Sequence, residues 1–238
     1  MEALKTNILR WLCMSLFLTA ASVVYAQNDS INTIEPDYMG KDSTCINKVL
    51  FIGDSMTGWM AERLNAYGDI NGFEVATVIW DGSTIQKWAK SSKLPDIIEE
   101  TAPDAIFICL GMNELFEPNP DSKLKNYVET LKSDFGETPF LWIGPPSFPG
   151  QAQGEILNNW LEKELGEKNY FSSFNLDLSR QSKSNPHPSR KGIEEWIDNV
   201  VEWIPDNSNL QFKSLNPPGK GILSRGKYFV YKRMKENL

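Results

Sequence analysis

From Lys48 onward, short continuous apolar runs alternate with stretches whose apolar residues recur every three or four positions. KVLFI, FEVATVIW, DAIFICLG and FLWIGP read as strands, with YFSSF a weaker fifth. Runs so short and unbroken suit strands covered on both faces. Residues 56–68 read as a helix. Leu124, Tyr127, Val128, Leu131 and Phe135 make an apolar stripe, with Asp121 or Ser122 as its N-cap. Ile156, Leu157, Trp160 and Leu161 make another, closed by Gly166 at C′. Ile193, Trp196, Ile197, Val200, Val201 and Ile204 make the strongest, and Pro205 is expected to stop it. Strands alternating with helices imply right-handed crossovers and a mostly parallel sheet with helices on both faces. Ligands bind such sheets beyond the carboxyl ends of the strands. Four segments fall there: Asp54-Ser55, Trp80 to Ser83, Gly111 to Glu114, and Pro145 to Gly150.

The ends of the chain depart from this pattern. Lys5 and Arg10 precede the apolar run WLCMSLFLTAASVV, and Val24-Tyr25-Ala26 supplies small residues before Gln27. This is the layout of a secretory signal peptide, residues 1–26. The run is shorter than the roughly 20 residues a membrane span needs. A soluble periplasmic or secreted protein is therefore expected, with no membrane span once the signal is removed. Residues 27–47 are a polar lead-in, and residues 48–204 carry the alternating pattern as one domain. Residues 205–238 form a basic extension, with seven lysines and arginines from Lys213 onward against one acid, Glu236. It is read as a tail packed on the domain, or as a contact for an anionic surface. The whole chain carries a formal charge of −7, so nothing favours nucleic acid as a partner. Cys45 and Cys109, at opposite ends of parallel strands, are expected to stay unbridged.

The chemistry rests on a few residues. Ser55 follows the first strand and opens a helix, which suits an N-cap or a nucleophile at a tight turn. His187 is the only histidine and is held between Pro186 and Pro188. Those prolines restrict the backbone on both sides and fix the imidazole's angle. It is the one imidazole available to activate a serine. Asn113, in LGMNE, is either a turn residue or an amide aimed at an oxyanion. Gly82, in DGSTI, is either turn chemistry or a bare N–H approaching the same oxygen. Among eight tryptophans, Trp59, Trp80, Trp88 and Trp142 lie near the expected mouth. Trp80 and Trp142 are the candidates for a substrate wall, against packing as the ordinary role of tryptophan.

Taken in order, G-D-S after strand one, Gly after strand two, G-x-N after strand three and His before the last helix resemble the SGNH hydrolases, the GDSL-type esterase superfamily. The resemblance covers residues 48–204. It implies a flavodoxin-like three-layer α/β/α sandwich with a five-stranded parallel sheet. It further implies Ser55 as nucleophile, His187 as base, and an oxyanion hole from the Ser55 N–H, the Gly82 N–H and the Asn113 amide. Two positions depart from the family pattern. Glu114 stands where the third block usually has aspartate, and Ser184 stands where the aspartate of D-x-x-H orients the histidine. The group at His187 Nδ1 is then Ser184, Asp177 from further upstream, or a backbone carbonyl. The expected function is exported hydrolysis of small O-acyl esters, acetyl foremost, on carbohydrate, with no metal or organic cofactor. An O-acetyltransferase on an envelope glycan and a catalytically weak glycan binder are the alternatives.

Overall fold

The computed structural model describes residues 45–148, 154–182 and 184–225, and the backbone of 231–233. The signal segment 1–26 and residues 27–44 of the lead-in lie outside the described residues. In chain order the elements are β1 (Lys48–Gly53), α1 (Thr57–Asn71), β2 (Glu74–Ile79), α2 (Ile85–Ala89), α3 (Lys93–Thr101) and β3 (Ala105–Cys109). A 3₁₀ turn (Met112–Glu114), α4 (Pro120–Phe135), β4 (Phe140–Ile143), α5 (Gly154–Leu165), β5 (Tyr170–Phe171), α6 (Arg190–Asn207) and β6 (Tyr231–Arg233) follow.

All pairings are parallel, in the order β5-β4-β3-β1-β2-β6. Five strands form the expected α/β sandwich, and β6 extends it by three residues beside β2. The strand period of two sorts the core into two layers. Val49 and Phe51 meet Met60 and Leu64 of α1 and Trp196, Ile197 and Val200 of α6. Leu50 and Ile52 meet Trp88, Val128, Leu131 and Leu157 from α2, α4 and α5. β1 pairs with β2 on one side and β3 on the other, so the order reverses between β1 and β3. That reversal opens the crevice in which α/β sheets bind ligands.

Some helix ends differ from expectation for local reasons. α4 opens with Pro120 in its first turn, and the residue before it, Asn119, makes no side-chain cap. A proline there has no N–H to leave unsatisfied, so Asp121 and Ser122 fall inside the helix. Pro205 lies within α6, which runs on to Asn207. In a last turn it removes a single hydrogen bond and the helix can finish around it. Gly166 does take the left-handed C′ position after α5, its N–H donating to Glu162 O at 2.9 Å. Cys109 is buried with a free thiol, 3.7 Å from Met60 Sδ.

The chain after α6 returns over α1. The fully buried Arg63 donates from Nε and Nη2 to the two Asp198 carboxylate oxygens at 2.8 and 2.9 Å. Its remaining N–H groups reach Gly219 O and Ile222 O, both at 2.9 Å, and Pro218 O at 3.3 Å. Asn71 adds a reciprocal pair with the Asn216 backbone at 2.8 and 2.9 Å. Leu210 is buried, and Phe212 packs on Phe73 and Phe107. From Thr44 onward the chain is one compact unit, and the described residues 205–225 of the extension are part of it. Arg63→Met removes the guanidinium from three carbonyls and from the Asp198 carboxylate, which keeps only the Tyr67 hydroxyl at 2.9 Å among the described residues. We expect a loss of about 3 kcal/mol in chemical denaturation, with new protease cleavage between residues 213 and 225.

Candidate active site

The turn after β1 is built by Asp54. Its Oδ1 accepts from Met56 N at 2.9 Å, and its carbonyl accepts from Thr57 N at 3.1 Å. Asp54 therefore does the work of a cap at the start of α1, and the Ser55 hydroxyl is left for another partner. That partner is His187, whose Nε2 lies 2.9 Å from Ser55 Oγ across 132 residues of chain. Gly53 makes the turn possible. A Cβ there would lie 2.3 Å from Cys109 O and 2.2 Å from Thr57 Oγ1, so β1 and β3 close on each other only around a glycine.

His187 is held by its own loop. Arg180 and Pro188 form an antiparallel bridge, and Ser189 N donates to Ser179 O at 2.7 Å. The Arg180 guanidinium donates to Pro186 O at 2.5 Å and to Ser147 O, tying the histidine loop to the loop after β4. Asn185 Oδ1 accepts from His187 N at 2.9 Å and lies 3.2 Å from Nδ1. The Asn185 amide nitrogen is engaged with Gln181 Oε1 at 3.1 Å, which identifies Oδ1 as the atom facing the ring. An oxygen at Nδ1 demands a proton there, so Nε2 is bare and accepts the Ser55 O–H.

Neither Ser184 nor Asp177 takes the orienting place. Ser184 is exposed, with its hydroxyl 3.4 Å from Ser182 Oγ, and Asp177 is exposed and acts on Arg180. The reason is an Asx turn: a side-chain oxygen two residues before the histidine folds back onto its N–H and its ring together. The Asn-Pro dipeptide before His187 is the sequence signal that points to such a turn.

Asn113 links the nucleophile turn to the turn after β2. Its Nδ2 donates to Ser83 O at 2.7 Å and to Asp54 Oδ2 at 3.3 Å. Gly82 occupies a turn closed by Ser83 N donating to Trp80 O at 3.0 Å, and its φ of 68° is one that favours glycine. Among the described residues the Ser55 and Gly82 N–H groups have no acceptor. Two N–H groups therefore sit on turns that the Asn113 amide links by one short and one long bond. Such donors suit charge developing on a carbonyl oxygen.

Trp80 and Trp142 are core residues rather than walls. Trp142 is fully buried and donates from Nε1 to Leu110 O at 3.1 Å. Trp80 is 9% exposed and meets Trp88 edge-on at 5.7 Å. Among the described residues the exposed tryptophan is Trp59, at 44%, in the first turn of α1. Among the described residues no cluster of three His, Cys, Asp or Glu side chains could hold a metal ion. No described helix is long and apolar enough to cross a membrane.

Two buried carboxyls stand behind the site. Burial, with a contribution from Asp81, pushes Asp54 from 3.8 up to about 7, against the bond from Met56 N–H. Burial likewise raises Glu114 from 4.5 to about 7, with Asp54 adding to it and the bond from Ile85 N–H opposing. Both carboxyls keep protons in the fold that the unfolded chain has already released between about pH 4 and 7. Their contribution to stability is therefore greatest below that window and is lost as pH rises through it. Denaturation at pH 5 and pH 7 should show it. Relative to wild type, the double variant Asp54→Asn/Glu114→Gln gains stability between the two, by at most about 1.4 kcal/mol per group per pH unit.

No protein-family model matches the chain, and no curated protein matches it in sequence. Solved structures do match. A family 3 carbohydrate esterase from Clostridium thermocellum aligns over 65% of this chain and 93% of its own, with a TM-score of 0.50 and 17% identity. TesA aligns over 66% and 98%, with a TM-score of 0.52 and 17% identity. The psychrotrophic esterase EstA from Pseudoalteromonas sp., in a structure inhibited by monoethylphosphonate, aligns over 67% and 100%, with a TM-score of 0.50 and 16% identity. With its parallel sheet, its helices on both faces and its reversal between β1 and β3, the chain has the SGNH hydrolase-like fold.

Proposed function

We propose that this chain is an exported serine esterase that removes small acyl groups, acetyl foremost, from carbohydrate. The observation that carries the reading is the 2.9 Å contact between Ser55 Oγ and His187 Nε2, made by residues far apart in sequence. As Ser55 attacks the ester carbonyl, its proton passes to Nε2. The negative charge on the former carbonyl oxygen meets the N–H groups of Ser55 and Gly82. The Asn113 amide joins them by giving up its long bond to Asp54. Collapse of the tetrahedral species expels the sugar alkoxide, which takes the proton from Nε2. Water then attacks the acyl-serine with His187 again as base. Asn185 holds the ring in the tautomer the reaction needs without adding negative charge beside the imidazolium.

The ester class is supported by the esterases among the similar folds, and the carbohydrate class by the carbohydrate esterase among them. The exposed Trp59 ring on the helix that follows Ser55 suits a sugar face. Export rests on the signal-like residues 1–26. A weak glycan binder on the same scaffold is the second reading, favoured by the neutral group at His187 Nδ1.

A fluorophosphonate probe and an acetylated oligosaccharide test the proposal. The wild-type chain should be labelled and should release acetate. Ser55→Ala should lose both, and His187→Ala should slow turnover by about 10² or more. Labelling that survives Ser55→Ala, or no labelling together with tight glycan binding, would overturn it. Restoring charge at the right place should help: Asn185→Asp is expected to raise kcat about tenfold or more. Ser184→Asp, whose side chain points to solvent, should leave kcat near wild type.

A further inference from the structure

We infer that Glu114 is a positioning residue of the oxyanion hole, acting through the Ile85 N–H to set the Gly82 turn against Ser55; this rests on the esterase reading. Two successive side chains at the end of β3 clasp the segment that follows Gly82. Asn113 Nδ2 donates to Ser83 O at 2.7 Å, and Glu114 Oε1 accepts from Ile85 N at 2.5 Å. The segment between the clasps has no slack. The Ser83 hydroxyl is buried and accepts from Trp88 Nε1 at 2.9 Å, and Ile85 is fully buried. Gly82 itself is exposed; the Ser83 N to Trp80 O bond closes its turn, and Lys87 Nζ reaches Gly82 O at 3.3 Å. The direction of its N–H therefore depends on how firmly residues 83 and 85 are held.

Glu114 is well placed to hold them. Its backbone is fixed by Glu114 N donating to Gly111 O at 3.1 Å and by Glu117 N donating to Glu114 O at 2.9 Å. Its other carboxyl oxygen, Oε2, is buried without a partner. An ionised carboxylate would leave charge unsolvated at that atom, and a protonated one would not. Asp54 faces it from the β1–α1 turn, with Asp81 acting on Asp54 and the Ile85 N–H as its donor. A neutral acid holds Ile85 without setting a second negative charge beside the developing oxyanion. The length of the side chain matters as well. Aspartate is shorter by one methylene, about 1.5 Å, and could not span from residue 114 to Ile85 N without moving the backbone of one turn or the other. Glutamate here is thus a requirement of the span and not an interchangeable acid.

Three variants of the full chain test this: Glu114→Gln, Glu114→Asp and Glu114→Ala. The readouts are kcat and KM on p-nitrophenyl acetate, the rate of fluorophosphonate labelling, and the exchange of the Ile85 amide by NMR. Glu114→Ala and Glu114→Asp should lose about 10²-fold in kcat, with KM within about twofold and Ile85 exchange accelerated. Glu114→Gln keeps an acceptor at the same reach, so it should recover most of that loss and retain slow exchange. It should also hold its activity better than wild type as pH rises above 7. Wild-type hydrolysis matched by Glu114→Asp and Glu114→Ala, or unchanged Ile85 exchange in both, overturns the positioning role and leaves the esterase reading standing. A wild-type chain inert to ester and probe overturns that reading, and this role falls with it. If Glu114→Ala does not fold, the Gln and Asp pair decides.

Discussion

The approach of β1 to β3 at Gly53 is the constraint from which the site follows. No Cβ fits between that residue, the Cys109 carbonyl and Thr57 Oγ1, so the two strands end side by side with their following turns in contact. Asp54 N then donates to Cys109 O at 3.2 Å, and Trp80 N donates to Gly53 O at 3.0 Å. Three strand ends are thereby locked at one level. Asp54, Asn113 and the Gly82 turn reach one another only because of it. The histidine, by contrast, comes from a loop beyond the sheet and depends on its own pairing with Arg180.

The electrostatics of this site differ from those of a carboxylate-backed triad. At His187 Nδ1 stands an amide oxygen, and behind the candidate oxyanion donors stand two carboxyls raised to about 7. Burial works in the direction of fewer negative charges around Ser55, which suits the proposed reaction. A site short of charge relies on direction instead. Arg180 holds two loops by their carbonyls, Asn185 fixes a tautomer, and Asn113 joins two turns with one amide. Each of these is a hydrogen bond whose value lies in where it points.

Much of the fold was legible because parallel strands buried on both faces leave continuous apolar runs and the helices between them leave stripes. That Ser55, Gly82 and Asn113 lie on neighbouring turns was legible for a related reason: in an open parallel sheet each strand end delivers its turn to the same edge, whereas His187 stood out only as the single histidine. What escaped was side-chain direction. Trp80 and Trp142 were assigned to the mouth by chain position, yet the ring of Trp142 lies inside a layer and bonds the Leu110 carbonyl. Asn185 escaped because its role comes from a local turn, whereas the family pattern directs attention to residue 184. Glu114 stood out in the sequence only as a departure from the family's aspartate, because its bond to Ile85 N depends on how two turns meet in the fold.

The embrace of Arg63 bears on where this protein can be cut. Every guanidinium hydrogen is directed at an oxygen, and three of those oxygens are carbonyls from residues 218, 219 and 222. A chain ended after α6 would keep β1 to β5, most of both apolar layers and all the catalytic candidates. It would also keep a cation sealed in the interior with three of its five acceptors deleted. The smallest autonomous piece of this molecule is thus set by solvation of one arginine, some twenty residues past the point where the apolar pattern stops.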